Sequence, residues 1–350
     1  SGTMSEGIAR TPFAILSIAA VLSGYEFSRR WSGKESALIS AALIATNGYS
    51  VAYGRIVQYQ SIILLMVPLA FVHLVEDRRG SAFLAGLFMG FALLAHYDAM
   101  IALPAFGYAL LAARWTTGRC WSRVLSAACG VLVVTLPFYG PFLLSEGFEF
   151  ATSYLIGVRI SGDGPLFRSN YAEFLSVDAI YNSSYYFLCL GFMLLIAILR
   201  DLSRWGRVSL FGILLLIPAS IAAAAWGSRW VALGIDWSFL PSALLLGFCV
   251  MAPHLSWHRR ALWLWFAAAY LFYLFVVADP RTHIYNVYVP GVFLAGDALQ
   301  WLWRGRLRLW PSPARYSMLG IGIILLALIV GFPFNVFVRT DRDYAAGYPN

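Results

Sequence analysis

The chain has 350 residues, 60% hydrophobic and only 12% charged, with a mean hydropathy of +0.72 and a formal net charge of +8. A soluble domain of that composition would expose adhesive apolar surface throughout, so a soluble globular class is excluded. Nucleic-acid binding is excluded as a reading of the positive charge, because the arginines lie mostly in short loops between apolar runs, where they report membrane topology.

In chain order the apolar runs predict twelve spans, at about 11–28, 36–52, 61–75, 81–95, 99–113, 122–140, 181–199, 208–226, 236–252, 261–278, 284–302 and 316–337. Each approaches the roughly 20 residues that cross a hydrocarbon core. The fold class expected is therefore an all-α polytopic integral membrane protein. Asn47-Gly48 interrupts the second run, and Pro68 and Pro104 fall inside the third and fifth. Such breaks are tolerated in lipid where neighbouring helices or a wet cavity satisfy the freed backbone groups.

The loops test this threading. One alternate set carries seventeen of the 25 basic residues and six acids, the other eight basic residues and eleven acids. The arginine-rich side is the cytoplasmic one. Both chain ends then fall outside, and a further span upstream of Ser1 is the expectation that reconciles this with the polar stretch Ser1–Arg10. Residues 1–337 are expected to form one transmembrane domain, followed by an extracytoplasmic tail over 338–350. No inverted repeat of the transporter kind is detected. Cys120, Cys129, Cys189 and Cys249 show no CxxC spacing, so they read as small core residues rather than a metal or disulfide framework.

Polar residues near membrane depth carry a functional hypothesis by default. Four outer places qualify. The stretch Asn47–Gln60 holds Arg55 among Gln58, Tyr59 and Gln60, a set able to grip a phosphate or carboxylate; an interfacial aromatic belt with a snorkelling Arg is the bland alternative. His96-Tyr97-Asp98 joins two spans with almost no loop. His96 and Asp98 can ligate a divalent metal ion, pair as base and orienter, or cap a helix. At the mouth of the tenth and eleventh spans, Arg281, His283 and Tyr285 suit a phosphorylated or sugar ligand, against a plain turn begun by Asp279-Pro280. The long connection Pro141–Ile180 carries acids, arginines and aromatics and reads as an interfacial segment. Within it Ser161–Pro165 reads as a turn, and Asn182-Ser183-Ser184 just beyond fits the glycosylation sequon. On the inner side, His254 and His258 read as solvated loop residues and His73 as a packing residue. No P-loop, GxGxxG or HExxH motif occurs.

Several segments resemble the membrane glycosyltransferases of the GT-C superfamily, in the branch of protein O-mannosyltransferases, lipid A aminoarabinose transferase and glycosyltransferase family 39. They are Arg10-Thr11-Pro12-Phe13-Ala14, Arg29-Arg30-Trp31-Ser32-Gly33, Tyr53-Gly54-Arg55-Ile56, His96-Tyr97-Asp98-Ala99, and His283-Ile284-Tyr285 followed by Pro290. The resemblance implies transfer of a sugar from a polyprenyl-phosphate donor to a lipid, glycan or protein acceptor, on the extracytoplasmic side of a bacterial or archaeal plasma membrane. It assigns the lipid phosphate to Arg55 and Arg281, and the sugar pocket to His96, Tyr97, Asp98, His283 and Tyr285. It also places an acidic catalytic base in the first outer loop, upstream of Ser1. Gln60 stands where the family often has an acid, which weakens a metal site in that loop and leaves His96 and Asp98 as the metal candidates. A transporter or flippase of lipid-linked sugars is the competing reading.

Overall fold

The computed structural model describes residues 6–76, 78, 80–113, 120–161, 165, 167–206, 213–226, 229–305 and 311–339. Gly162–Gly164 of the expected turn, Arg79, Arg114, Arg119, Arg207, Arg306, Arg308 and the tail from Thr340 lie outside them. The described residues hold fifteen α-helices rather than twelve long spans. Four stretches are long and apolar enough to cross a membrane: Gly7–Trp31, Trp121–Leu143, Ser184–Trp205 and Trp257–Val276. Of the three helices beyond twelve, Gly48–Tyr53 follows the break at Asn47-Gly48, and Glu146–Ser153 and Tyr171–Tyr181 lie in the 141–180 connection. Contacts group the chain into two compact units, Ser1–Leu69 with Asp178–Ala197 and Gly291–Asn350, and Ala70–Val177 with Ile198–Pro290.

The first unit opens with α1 (Glu6–Trp31) and α2 (Lys34–Thr46), reversed at Gly33, whose φ of 118° suits a residue without Cβ. The break expected at Asn47-Gly48 has a simple cause. Asn47 caps α3 (Gly48–Tyr53), its side-chain oxygen accepting from Tyr49 N at 3.0 Å and Ser50 N at 3.4 Å. The helix α4 (Gln60–Leu74) follows, and Pro68 sits inside it without ending it. Polar groups knit this unit together. Ser28 Oγ lies 3.0 Å from Ser36 Oγ and 3.3 Å from Ser40 Oγ, while Gln300 accepts from Ser36 N at 2.9 Å and donates to Ser32 O at 2.7 Å. Asn182 is buried, and its Oδ1 accepts from Gly48 N at 2.8 Å. A side chain so engaged has no room for a glycan, which removes the sequon as a modification site.

In the second unit, α5 (Ser81–Ala95) packs on α7 (Cys120–Leu143) through glycines. A Cβ on Gly86 would meet Ala127 O at 2.0 Å, and one on Gly130 would meet Phe83 O at 2.2 Å. Small residues at this seam let two backbones touch where lipid offers no hydrophobic drive for association. Between these helices the fifth predicted span divides into a 3₁₀ segment, Tyr97–Ala102, and α6 (Leu103–Ala112). Pro104 lies in the first turn of α6, where its missing N–H costs nothing. His73 pairs with Glu76 at 3.0 Å and stacks on Phe88, as its packing role required.

The connection expected over 141–180 is largely helical: α8 (Glu146–Ser153), a π segment Tyr154–Ser161, and α9 (Tyr171–Tyr181). The remaining helices are α10 (Ser184–Leu202), α11 (Leu216–Ala225), α12 (Phe239–Met251), α13 (Trp257–Leu271), α14 (Tyr285–Gly305) and α15 (Ser312–Pro333). A two-stranded antiparallel hairpin, β1 (Val231–Ala232) and β2 (Ile235–Asp236), joins α11 to α12. Within the second unit Asp201 is buried and takes Trp263 Nε1 at 2.7 Å and Arg259 Nε at 2.9 Å. That carboxylate anchors the start of α13.

Candidate functional site

The second unit brings five of the expected residues together around one carboxylate. Asp98 is 1% exposed and sits in the 3₁₀ turn after α5. The turn forms because His96 is extended and its Nδ1 accepts from Asp98 N at 3.2 Å, a local cap that ends α5. Onto the Asp98 carboxylate converge three groups from the chain around 273–285. His283 Nδ1 lies 2.8 Å from Oδ2 and 3.0 Å from Oδ1, Tyr273 donates to Oδ1 at 2.9 Å, and Tyr285 donates to Oδ2 at 3.3 Å. Asn286 steadies the set, donating to Tyr273 Oη at 3.2 Å and His283 O at 3.0 Å. The His96 and His283 rings stack at 5.5 Å, with Tyr97 against His96 at 3.8 Å.

Burial by itself would raise the Asp98 carboxyl. Hydrogen bonding at its oxygens, that from His283 foremost, outweighs it and holds the group below the usual carboxylate range. The ionised carboxylate fixes the His283 tautomer. Its Nδ1–H donates to Asp98, leaving Nε2 to accept from Arg159 Nη2 at 3.4 Å. Arg159 also donates to Asp279 O at 3.0 Å.

Arg159, Tyr273 and Asn286 complete the set: the sequence did not single out Tyr273, Asn286 closes the stretch Asp279–Asn286 without a role of its own, and Arg159 is one charge of the 141–180 connection. Tyr273 and Asn286 are polar residues in otherwise apolar runs, a signal that was available. Arg159 reaches the cluster from the π segment, which local pattern gave no means to foresee.

Arg281 stands apart from the Asp98 carboxylate. It pairs with Asp279 at 2.6 Å, its backbone N donates to Glu173 at 2.9 Å, and its φ is 42°. A non-glycine residue in that region stores strain, a feature that clusters at functional sites. Burial, offset by the Arg281 backbone hydrogen bond and reinforced by Asp279, pushes the Glu173 carboxyl from 4.5 up to about 7. A raised carboxyl favours the protonated fold, so its contribution to stability is complete below 4.5 and is lost as pH rises through about 7. The melting temperature is expected to fall across that window, and Glu173→Gln should flatten this part of the profile. An unchanged profile in the variant would contradict the assignment.

Arg55, Gln58, Tyr59 and Gln60 belong to the first unit. Gln60 opens α4 and is buried, and the side-chain oxygens of Gln58 and Gln60 are both buried without a hydrogen-bond donor. Ser61 Oγ donates to Tyr53 O at 3.1 Å and pairs with Ser17 at 2.9 Å, which holds the start of α4 against α1 and α3.

Nδ1 or Nε2 of His96 and His283, with an oxygen of Asp98, all lie within 4.8 Å of one another. Two imidazoles and one carboxylate are a donor set that suits a divalent cation with open positions. His96 and Asp98 were the expected ligands; His283, 185 positions from Asp98 in the chain, is the third member of this group.

Residues 2–140 match the family model described as dolichyl-phosphate-mannose-protein mannosyltransferase, and with the apolar helices this supports an integral membrane glycosyltransferase of the GT-C superfamily. The matched stretch runs from α1 into α7 and includes Arg55–Gln60 and His96–Asp98, whereas Arg281, His283 and Tyr285 lie beyond it. No curated protein matches the chain.

Proposed function

We propose that the protein transfers a sugar from a polyprenyl-phosphate donor to a lipid, glycan or protein acceptor at the extracytoplasmic face of the plasma membrane. The observation that carries this reading is the mannosyltransferase-type match over the stretch holding both Arg55–Gln60 and His96–Asp98. In the reaction, the bond from the sugar's anomeric carbon to the carrier phosphate breaks as the acceptor oxygen attacks that carbon. The acceptor proton passes to a base, and the carrier leaves as a phosphate monoester. Arg55 binds the phosphate and offsets the charge that grows on it. Gln58, Tyr59 and Gln60 line the phosphate end. His283 and Tyr285, held by Asp98, shape the sugar pocket with Tyr97.

Asp98 is a positioning residue in this scheme and not the base, since three side-chain donors already occupy its oxygens. No other acid of the cluster is assigned as the base. His96, Asp98 and His283 would hold a divalent cation. Such an ion supplies Lewis-acid stabilisation to phosphate oxygens when bound.

The test is transfer of radiolabelled sugar from a polyprenyl-phosphate donor by the full-length protein in liposomes. Arg55→Ala is expected to lower the turnover by about 10²–10³, the usual cost of removing one charge-stabilising donor. Chelation is expected to abolish transfer and added divalent metal to restore it. Movement of the lipid-linked sugar across the bilayer without transfer would overturn the enzyme reading in favour of a flippase.

A further inference from the structure

The hairpin between α11 and α12 has an unusual tip. Val231 pairs with Asp236 and Ala232 with Ile235, so the turn is the two residues Leu233-Gly234. Both have positive φ, 57° and 76°. A turn of that type favours Asn or Asp before Gly, because an ordinary Cβ crowds the carbonyl there. Here the position holds a leucine that is 95% exposed. Its neighbours are also outward: Arg229, Trp230 and Val231 before it, and Trp237 and Leu240 after it, are all exposed.

The base of the hairpin, by contrast, is firmly rooted. Asp236 is buried, and its carboxylate accepts from Ser238 N at 2.9 Å and Ser169 N at 3.3 Å. Asn170, next in the chain, is bound to Val277 O at 2.6 Å and Tyr273 O at 3.2 Å. Trp237 N donates to Trp230 O at 3.1 Å, and its indole N–H donates to Ala232 O at 3.2 Å. The fold thus holds a strained apolar tip outward on a fixed stem.

We propose that this hairpin is an interfacial anchor whose tip, Leu233 with Trp230 and Val231, inserts into the lipid leaflet. Two observations select lipid as the occupant. Exposed apolar residues also stand on the helices that flank it, Ile221 before and Leu240 and Leu244 after. The residue types also match a bilayer boundary, with indoles at headgroup level, an apolar tip below them and Arg229 beside the lipid phosphates. The depth follows from the backbone. A two-stranded ribbon leaves outward N–H and C=O groups that hydrocarbon cannot satisfy, so the hairpin stays within the headgroup and upper acyl region.

The test uses the full chain, with its four cysteines replaced by alanine, in nanodiscs of phosphatidylethanolamine and phosphatidylglycerol. A single Leu233→Cys carries an environment-sensitive NBD label, and Ala232→Cys serves as a second site free of positive φ. Melting of each labelled protein is compared with the parent to verify folding. The expected result is blue-shifted emission at both sites, quenched severalfold more by lipids spin-labelled near the headgroup than by aqueous iodide. Strong iodide quenching without lipid quenching would place the tip in water and overturn the proposal. Blue-shifted emission that neither quencher reaches would also overturn it, showing that protein covers the hairpin, either a second copy or another part of this chain.

Discussion

Asp98→Ala is expected to be among the most damaging single substitutions in the second unit, abolishing sugar transfer and lowering thermal stability. The change removes the acceptor for Tyr273, Tyr285 and His283 together, leaving buried donors with nothing to bind. Leaving a buried donor unsatisfied costs about 1–3 kcal/mol. His283 also loses the group that fixes its tautomer, so its Nε2 no longer faces Arg159 as a dependable acceptor. Asp98→Asn keeps the volume and one carbonyl oxygen but turns an NH₂ toward other donors, and an intermediate loss is expected. Thermal unfolding in detergent separates these outcomes from activity. A melting temperature equal to the parent's in Asp98→Ala would mean that the carboxylate does not organise the cluster.

Gly86→Ala is the second large effect, and it arises without any chemistry. The added methyl would lie 2.0 Å from Ala127 O and 2.7 Å from Ala127 C, both backbone atoms that no rotamer change can move. The helices α5 and α7 must part, and the reciprocal contact of Gly130 with Phe83 O and Leu87 N opens with them. Overpacking of a close interior typically costs about 1–3 kcal/mol, and a backbone-to-backbone clash belongs at or above the top of that range. Because both glycines serve one seam, Gly86→Ala with Gly130→Ala should cost less than the sum of the two. Melting temperature and monodisperse yield of the three variants measure this. Parent-like behaviour of Gly86→Ala would contradict the close approach of the helices. The seam carries α5, whose end presents His96 and Asp98, so transfer should fall along with stability.

Much of the architecture is legible locally, because its causes are local. Hydropathy sums over twenty residues, Asn47 announces a cap, and Pro104 announces a helix start. The break at Asn47-Gly48 divides its run into two helices, whereas Pro68 stands inside α4 without ending it, and the other helices beyond twelve lie in the 141–180 connection. The segment 141–180 read as an interfacial connection from its length, charges and aromatics, while its helices are short enough that neither length nor composition marks them.

The sequence by itself determined the membrane class, the family resemblance and the candidate patches, including His96–Asp98 and His283–Tyr285 as separate places. Only the tertiary structure decided that these two patches are one cluster, that Tyr273 and Arg159 complete it, and that Arg281 pairs with Asp279 instead. The physical reason is that hydropathy and capping are written in neighbouring residues, whereas a buried carboxylate takes its partners from wherever packing delivers donors. For Asp98 packing delivered them from 175 to 187 residues away.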